Sequence, residues 1–170
     1  GQFKNKLLFG SINNDLGCAG LYAADIDNDG DSDLILPCGD NLEEFFHQPQ
    51  SYHGCYLFVN DGELQFTKKR IRDLPGCYAA CVGDFNQDTI LDIALVSMVN
   101  DWNNPESASV VLLEQTNPLE FKTYQIAAAP ICFITCAMGD ANNDGISDII
   151  AGSFRVQAPF DRSSRVHLWT

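Results

Sequence analysis

Apolar residues occur along the chain in short runs that are rich in β-branched and aromatic side chains. Residues 55–59, 109–113 and 165–169 are typical runs, and an Asn-Asp-Gly turn follows the first of them. Short runs bounded by turn residues are typical of β-strands, and an Asp-Gly pair between two runs predicts a hairpin. No segment has the apolar spacing of an amphipathic helix. The pattern therefore predicts an all-β protein.

Three acidic segments share one spacing. They read DIDNDGDSDLIL from Asp25, DFNQDTILDIAL from Asp84 and DANNDGISDIIA from Asp140. Asp or Asn stands at positions 1, 3 and 5 of each segment, and Asp stands at position 9. Position 6 is Gly30 in the first segment and Gly145 in the third, where a tight loop favours a left-handed backbone. Alternating oxygen ligands can converge on a hard cation, and Ca²⁺ takes about six to eight oxygens.

The segments therefore predict up to three structural Ca²⁺ sites, with a backbone carbonyl contributed by position 7. An EF-hand is excluded, because position 12 is Leu36, Leu95 or Ala151 where an EF-hand needs a bidentate glutamate. Thr89 replaces glycine at position 6 of the second segment, so that site is expected to bind most weakly. The predicted ligands are Asp25, Asp27, Asp29, Asp31 and Asp33; Asp84, Asn86, Asp88, Ile90 and Asp92; and Asp140, Asn142, Asp144, Ile146 and Asp148.

The spacing of these segments indicates a repeated unit. The first Asp of each segment lies 59 and then 56 residues after the previous one. Each segment joins an apolar strand to an aliphatic strand, and a further pair of strands follows. A period of about 50 residues built from short strands is typical of propeller blades.

The chain resembles the FG-GAP (or VCBS) repeat family, the blade type of integrin α-subunit propellers. The resemblance rests on the small residue before each first Asp, on the exit Ala151-Gly152-Ser153 and on the hairpin at residues 57–66. The chain departs from the family pattern at Leu36-Pro37, at Val96-Ser97 and at Thr89. The resemblance implies β-propeller blades, about three of them, each four-stranded, antiparallel and stabilised by Ca²⁺.

The order of the strands predicts how the chain is divided. Within one FG-GAP-like segment, 1–170, we expect the outer strand of a split blade at 1–10, blades at 17–72 and 76–126, and an incomplete blade at 131–170. Propellers usually have about 4–8 blades, so three blades do not close a ring. We therefore expect a segment of a larger propeller, or completion by oligomerisation with a second copy of the chain. We favour the segment.

The net charge of the chain and the motifs that it lacks argue against several classes of function. Acidic residues outnumber basic ones 23 to 10, and the net charge of −13 argues against a nucleic-acid partner. No apolar run approaches the ~18 residues of a membrane span. We find no nucleophile elbow or phosphate loop, and carboxylates that recur in every repeat indicate structural metal, so the protein is not expected to be an enzyme. Low-affinity calcium sites suit an extracellular or cell-surface location.

The seven cysteines are an odd number, so at least one of them is unpaired within the chain. Cys38 and Cys55 flank a long loop, and a disulfide between them is left open. Two further pairs lie four residues apart in predicted strands, roughly 13 Å apart and too far for a disulfide. They are interpreted as small buried side chains: Cys77 with Cys81, and Cys132 with Cys136.

Long, irregular connections are expected on the face opposite the calcium loops. They carry aromatic and arginine residues, which either pack the connections down or bind a partner. We expect a non-enzymatic, calcium-stabilised recognition module that binds a protein or glycan ligand in cell adhesion or extracellular assembly. The alternatives are a carbohydrate-binding lectin propeller and the accessory domain of a hydrolase. The candidate contact residues are Phe45, Phe46, Tyr52, Trp102, Arg155, Phe160 and Arg162.

Overall fold

The computed structural model describes residues 3–8, 10, 17–40, 50–98, 104, 106–128, 131–153 and 165–170. All regular secondary structure among these residues is β-strand, which confirms the all-β prediction. The strands are β1 (Gly17–Cys18), β2 (Tyr22–Ala24), β3 (Asp33–Asp40), β4 (Gly54–Asn60), β5 (Phe66–Asp73), β6 (Cys77–Gly83), β7 (Asp92–Ser97), β8 (Ala108–Asn117), β9 (Glu120–Ala128), β10 (Phe133–Gly139), β11 (Asp148–Ser153) and β12 (Val166–Trp169).

These strands form three antiparallel sheets that wind up and down in chain order. The first sheet has the order β1-β3-β4-β5, and β2 also pairs with β3. The second sheet is β6-β7-β8-β9, and the third is β10-β11-β12. The apolar strand predicted before the first acidic segment is divided in two, because β1 and β2 pair with opposite ends of β3.

The second sheet is the middle layer of the stack, and its strand β7 is buried along its whole length. Ile93 and Leu95 belong to the apolar cluster shared with the first sheet. Ala94 and Val96 belong to the cluster shared with the third sheet. Because alternate side chains of a strand point to opposite faces, a strand covered on both faces needs a continuous apolar run, and Ile93–Val96 provides one.

The first and second sheets come into backbone contact near the end of β3. A Cβ atom on Gly39 would overlap backbone atoms of Gly76 and Cys77, so only glycine fits this position. The backbone N–H of Gly76 donates to Nδ1 of His53 over 3.0 Å. His53 is 2% exposed. Burial, followed by the charge of nearby Arg70, lowers the pKa of His53 and so favours the neutral imidazole.

The outer edges of the sheets differ in character. Strand β5 carries the exposed side chains of Lys68 and Lys69, and such charges discourage edge-to-edge pairing. The third sheet ends at β12, where Val166 and Leu168 are exposed. The described part of the predicted outer strand at 1–10, residues 3–8 and 10, lies outside any strand. In the part of the chain that the structure describes, no helix has the length and apolar character needed to cross a membrane.

Candidate metal centre

The three acidic segments form loops at the same end of the three sheets. Loop 1 (25–33) joins β2 to β3, loop 2 (84–92) joins β6 to β7, and loop 3 (140–148) joins β10 to β11. Nε2 of Gln87 in loop 2 donates to the carbonyl of Gly145 in loop 3 over 3.4 Å. The Gln115 side chain donates to the carbonyls of Ile26 in loop 1 and Leu91 in loop 2, at 2.9 and 3.0 Å. The loops therefore lie side by side.

Each loop closes around the carboxylate of its first aspartate. In loop 1, Asp25 accepts the backbone N–H groups of Asp29 and Gly30, both at 3.0 Å. The same two bonds from positions 5 and 6 measure 3.2 and 2.9 Å at Asp84, and 3.0 and 2.9 Å at Asp140. The predicted equivalence of the three segments thus extends to their hydrogen bonds.

Left-handed backbone at positions 4 and 6 makes these bonds geometrically feasible. At position 6, φ is +97° for Gly30, +70° for Thr89 and +87° for Gly145. Position 4 has φ of +60° to +64° in all three loops, at Asn28, Gln87 and Asn143. A β-branched residue such as threonine is strained in this region, whereas glycine adopts it freely. Loop 2 therefore carries the strain expected from its sequence.

The aspartate at position 9, called the closing aspartate, is buried at the start of the strand that follows each loop. Asp33 and Asp92 are 0% exposed, and Asp148 is 2% exposed. One carboxylate oxygen of each accepts the backbone N–H of position 2 in its own loop, at 3.0, 3.2 and 2.7 Å respectively. The other oxygen of Asp33 accepts the N–H of Asn60 at 2.9 Å, and that of Asp92 accepts the N–H of Gln115 at 2.8 Å. Each of these two carboxylates thus ties its loop to the third strand of the sheet.

Asn60 and Gln115 also belong to the site, although the spacing of the acidic segments does not indicate them. The Asn60 side chain donates to the carbonyl of Ser32 over 3.3 Å. The Gln115 side chain, besides the two carbonyls it binds, accepts the N–H of Leu119 at 2.6 Å. Both amides are buried at the end of an apolar run, at 8% and 1% exposure. A polar residue at the end of an apolar run is the feature of the sequence that could have indicated such a buried, hydrogen-bonded amide.

Loop 1 concentrates negative charge that no cation in the described residues offsets. Carboxylate oxygens of Asp25, Asp27 and Asp29 lie within 4.8 Å of one another. One oxygen of Asp27 and one of Asp31 are buried without a hydrogen-bond partner. Desolvation, followed by the charges of Asp33, Asp29 and Asp25, raises the pKa of Asp27. Desolvation and the charge of Asp29 likewise raise the pKa of Asp31. Unpaired carboxylate oxygens in this arrangement fit a divalent cation.

Loops 2 and 3 carry asparagine where loop 1 has Asp27. In each, the amide nitrogen donates to the aspartate at position 5 over 2.9 Å, from Asn86 to Asp88 and from Asn142 to Asp144. The amide oxygen accepts the backbone N–H of position 5. These loops therefore hold fewer charges but the same pattern of oxygens.

The structure does not form a disulfide between Cys38 and Cys55. Both are thiols. The register pairs Pro37 with Cys55 and Cys38 with Gly54, so the two cysteines point to opposite faces of the first sheet. Cys77, Cys81 and Cys132 are buried as the sequence predicts, and Cys136 is half-buried.

Of the seven candidate partner-binding residues, Tyr52 lies in the described part of the chain. Its carbonyl accepts the hydroxyl of Tyr56 at 2.9 Å, and its ring meets that of His53 edge-on at 5.1 Å. These contacts anchor Tyr52 at the start of β4. The other six lie outside the described residues: Phe45, Phe46, Trp102, Arg155, Phe160 and Arg162.

Comparisons with known proteins do not identify the chain. No protein-family model matches it. No curated protein and no solved structure matches it significantly. Function is therefore inferred from the three loops and their surroundings.

Proposed function

We propose that the protein is a calcium-stabilised, non-enzymatic recognition module built from FG-GAP-type β-propeller blades, which binds a protein or glycoconjugate partner at the cell surface or outside the cell. The observation that carries this proposal is one loop geometry repeated at the same end of three stacked antiparallel sheets. An enzyme needs one catalytic centre, whereas a structural ion can stabilise each sheet in the same way. Repetition therefore favours structural metal over catalysis.

Calcium suits the donors that the loops present. Each loop offers side-chain oxygens from positions 1, 3, 5 and 9 and a backbone carbonyl from position 7, which are the hard ligands that Ca²⁺ takes. The buried, unpaired oxygens of Asp27 and Asp31 support the assignment most directly in loop 1. Three bound ions would bring the net charge from −13 to −7. They would also offset the neighbouring negative charges that, after burial, raise the pKa of Asp27.

The opposite end of the stack is the proposed binding face. Strands β3, β7 and β11 each begin at the closing aspartate of a calcium loop and run to the other end of their sheet. The connections that leave from there span residues 41–53, 98–107 and 154–165. They hold Phe46 and Trp102, and aromatic residues and arginine are enriched at protein interfaces. Metal bound in the loops would make one end of the sheets rigid, and the long connections at the other end would then be held in place for binding a partner.

The open edge of the third sheet supports a further partner. Among the residues that the structure describes, this sheet has three strands, and its edge strand β12 exposes Val166 and Leu168. A fourth strand supplied by the remaining blades of a larger propeller, or by a second copy of the chain, would cover that edge.

Calcium is expected to raise the melting temperature of chelator-treated protein. An ion present at 100 times its Kd stabilises the native state by about 2.7 kcal/mol, which corresponds to roughly 5–10 °C for a domain of this size. Calorimetry with and without EGTA measures the shift, and titration calorimetry counts the ions. Asp29→Ala is expected to remove one site, while Asp61→Ala, in an acidic turn outside the loops, serves as the control. A melting temperature that calcium leaves unchanged would contradict the proposal.

Trp102→Ala and Phe46→Ala are expected to weaken partner binding by at least about tenfold while leaving the melting temperature in calcium within about 2 °C of the wild type. The partner is first identified on a glycan array and a panel of extracellular proteins. Asp29→Ala should do the reverse, lowering stability and sparing affinity at saturating calcium. If both aromatic substitutions destabilise the protein and leave binding intact, these residues pack the connections and the proposed face is wrong.

A further inference from the structure

Three pairs of cysteine thiols come together although each pair is distant in sequence. In the first sheet, Cys18 of β1 lies directly opposite Cys38 of β3 in the antiparallel register. Their sulfur atoms are 3.5 Å apart. Directly opposite residues in such a ladder have Cα atoms about 4.5–5.5 Å apart, within the range that a disulfide spans.

The other two pairs join neighbouring sheets. Cys55 in β4 and Cys77 in β6 pack in the apolar cluster between the first and second sheets, close enough for the Cys55 thiol to act, after burial, on the pKa of Cys77. Cys81 in β6 and Cys136 in β10 pack between the second and third sheets, and the Cys81 thiol raises the pKa of Cys136. Cys55 and Cys77 are both 0% exposed in the apolar cluster shared by the first and second sheets. Cys81 packs with Cys136 in the cluster shared by the second and third sheets. Each inter-sheet interface thus holds one facing pair of thiols.

We propose that these six cysteines form three disulfides, Cys18–Cys38, Cys55–Cys77 and Cys81–Cys136, and that the last two covalently tie the three sheets into one stack. A chance arrangement of seven cysteines would not be expected to place one facing pair at each interface and one within the first sheet. The pairing also leaves a single cysteine, Cys132, whose thiol donates to the carbonyl of Met98 over 2.8 Å.

The chemistry is thiol–disulfide exchange with a small-molecule disulfide such as oxidised glutathione. A thiolate of the pair attacks the small disulfide, forms a mixed disulfide and releases one reduced thiol. The second cysteine then loses its proton, attacks the protein-bound sulfur and releases the second reduced thiol. Two protein thiols are oxidised and one small disulfide is reduced by the same two electrons.

The exchange is expected to take place before the sheets close. Burial raises the pKa of Cys38 and Cys77, and the neighbouring Cys81 thiol together with burial raises that of Cys136. Thiolate is the reacting form, so the folded, reduced protein offers little of it at these positions. Once formed, the two inter-sheet disulfides are shielded from reductant, whereas the exposed Cys18 leaves its disulfide open to mild reduction.

Mapping the cysteines of the full chain tests the proposal. The reduced, denatured chain is refolded in calcium with reduced and oxidised glutathione, alkylated under denaturing conditions without reduction, and digested with Asp-N and chymotrypsin. Cleavage after Tyr78 separates Cys77 from Cys81, and cleavage after Phe133 separates Cys132 from Cys136. We expect the three named linkages, one alkylated residue at Cys132, and a melting temperature at least about 5 °C above that of the reduced protein.

Matched variants separate the linkages from effects on folding. Cys132→Ser should refold with the same three disulfides and no alkylated cysteine. Cys77→Ser should expose Cys55 to alkylation while keeping the other two linkages. Seven alkylated cysteines after refolding, or linkages between other partners such as Cys38 with Cys55 or Cys38 with Cys77, would overturn the proposal.

Discussion

Asp92→Ala is expected to lower the free energy of unfolding by about 3 kcal/mol even when calcium is absent. Asp92 is fully buried, and its two oxygens accept the backbone N–H groups of Phe85 and Gln115. Alanine leaves both donors without an acceptor at the junction of loop 2 and β8, and each buried, unsatisfied donor costs about 1–3 kcal/mol. Urea unfolding in EGTA measures the loss directly.

Two substitutions in the same loop separate the structural role of Asp92 from metal binding. Asp88 is exposed, so Asp88→Ala should cost less than about 1 kcal/mol in EGTA and more in calcium. Asp92→Asn should cost less than Asp92→Ala, because its amide keeps one acceptor and carries no charge. Burial raises the pKa of Asp92, so the metal-free protein holds that charge at a cost. Equal losses for Asp88→Ala and Asp92→Ala in EGTA would show that the buried hydrogen bonds are not what stabilises the loop.

Much of the all-β architecture could be predicted because each signal is local. Strand β6 lies directly before the second acidic segment, where the sequence predicts an apolar strand, and the turn after Asn60 forms where the Asp-Gly pair predicts it. The continuous apolar run of β7 marks a strand that is covered on both faces. Glycine at position 6 of loops 1 and 3 has the left-handed backbone that its position requires. Each of these features depends on residues that are close in sequence.

Features that depend on contacts between distant segments could not be predicted. Gln115 reaches the carbonyl of Ile26, a residue 89 positions away, and its sequence context gives no sign of that partner. The cysteine pairs show the same limit. Spacing within one strand correctly excluded a bond between Cys77 and Cys81, but the facing partners lie on other strands and other sheets. The sequence left a bond between Cys38 and Cys55 open, and it could not show that the register places the two residues on opposite faces.

Gly39→Ala is expected to destabilise the protein by about 3 kcal/mol or more and to reduce the yield of folded protein sharply. The added methyl group would overlap the backbone of Gly76 and Cys77, which cannot move aside as a flexible side chain can. Those atoms are held in turn by the hydrogen bond from Gly76 to His53 and by that from Met98 to the Gly76 carbonyl. Relief of the overlap therefore requires the first and second sheets to separate, which opens the apolar cluster between them.

Gly139→Ala is the matched control for this substitution. Gly139 also lies at the end of a strand, but a Cβ atom there would meet nothing within 4 Å. We expect its free energy of unfolding to stay within about 0.5 kcal/mol of the wild type. Urea unfolding of both variants in calcium, with near-ultraviolet circular dichroism as the probe of packing, makes the comparison. Equal stabilities would mean that the two sheets do not meet at Gly39, and the stacking of the first sheet on the second would then be wrong.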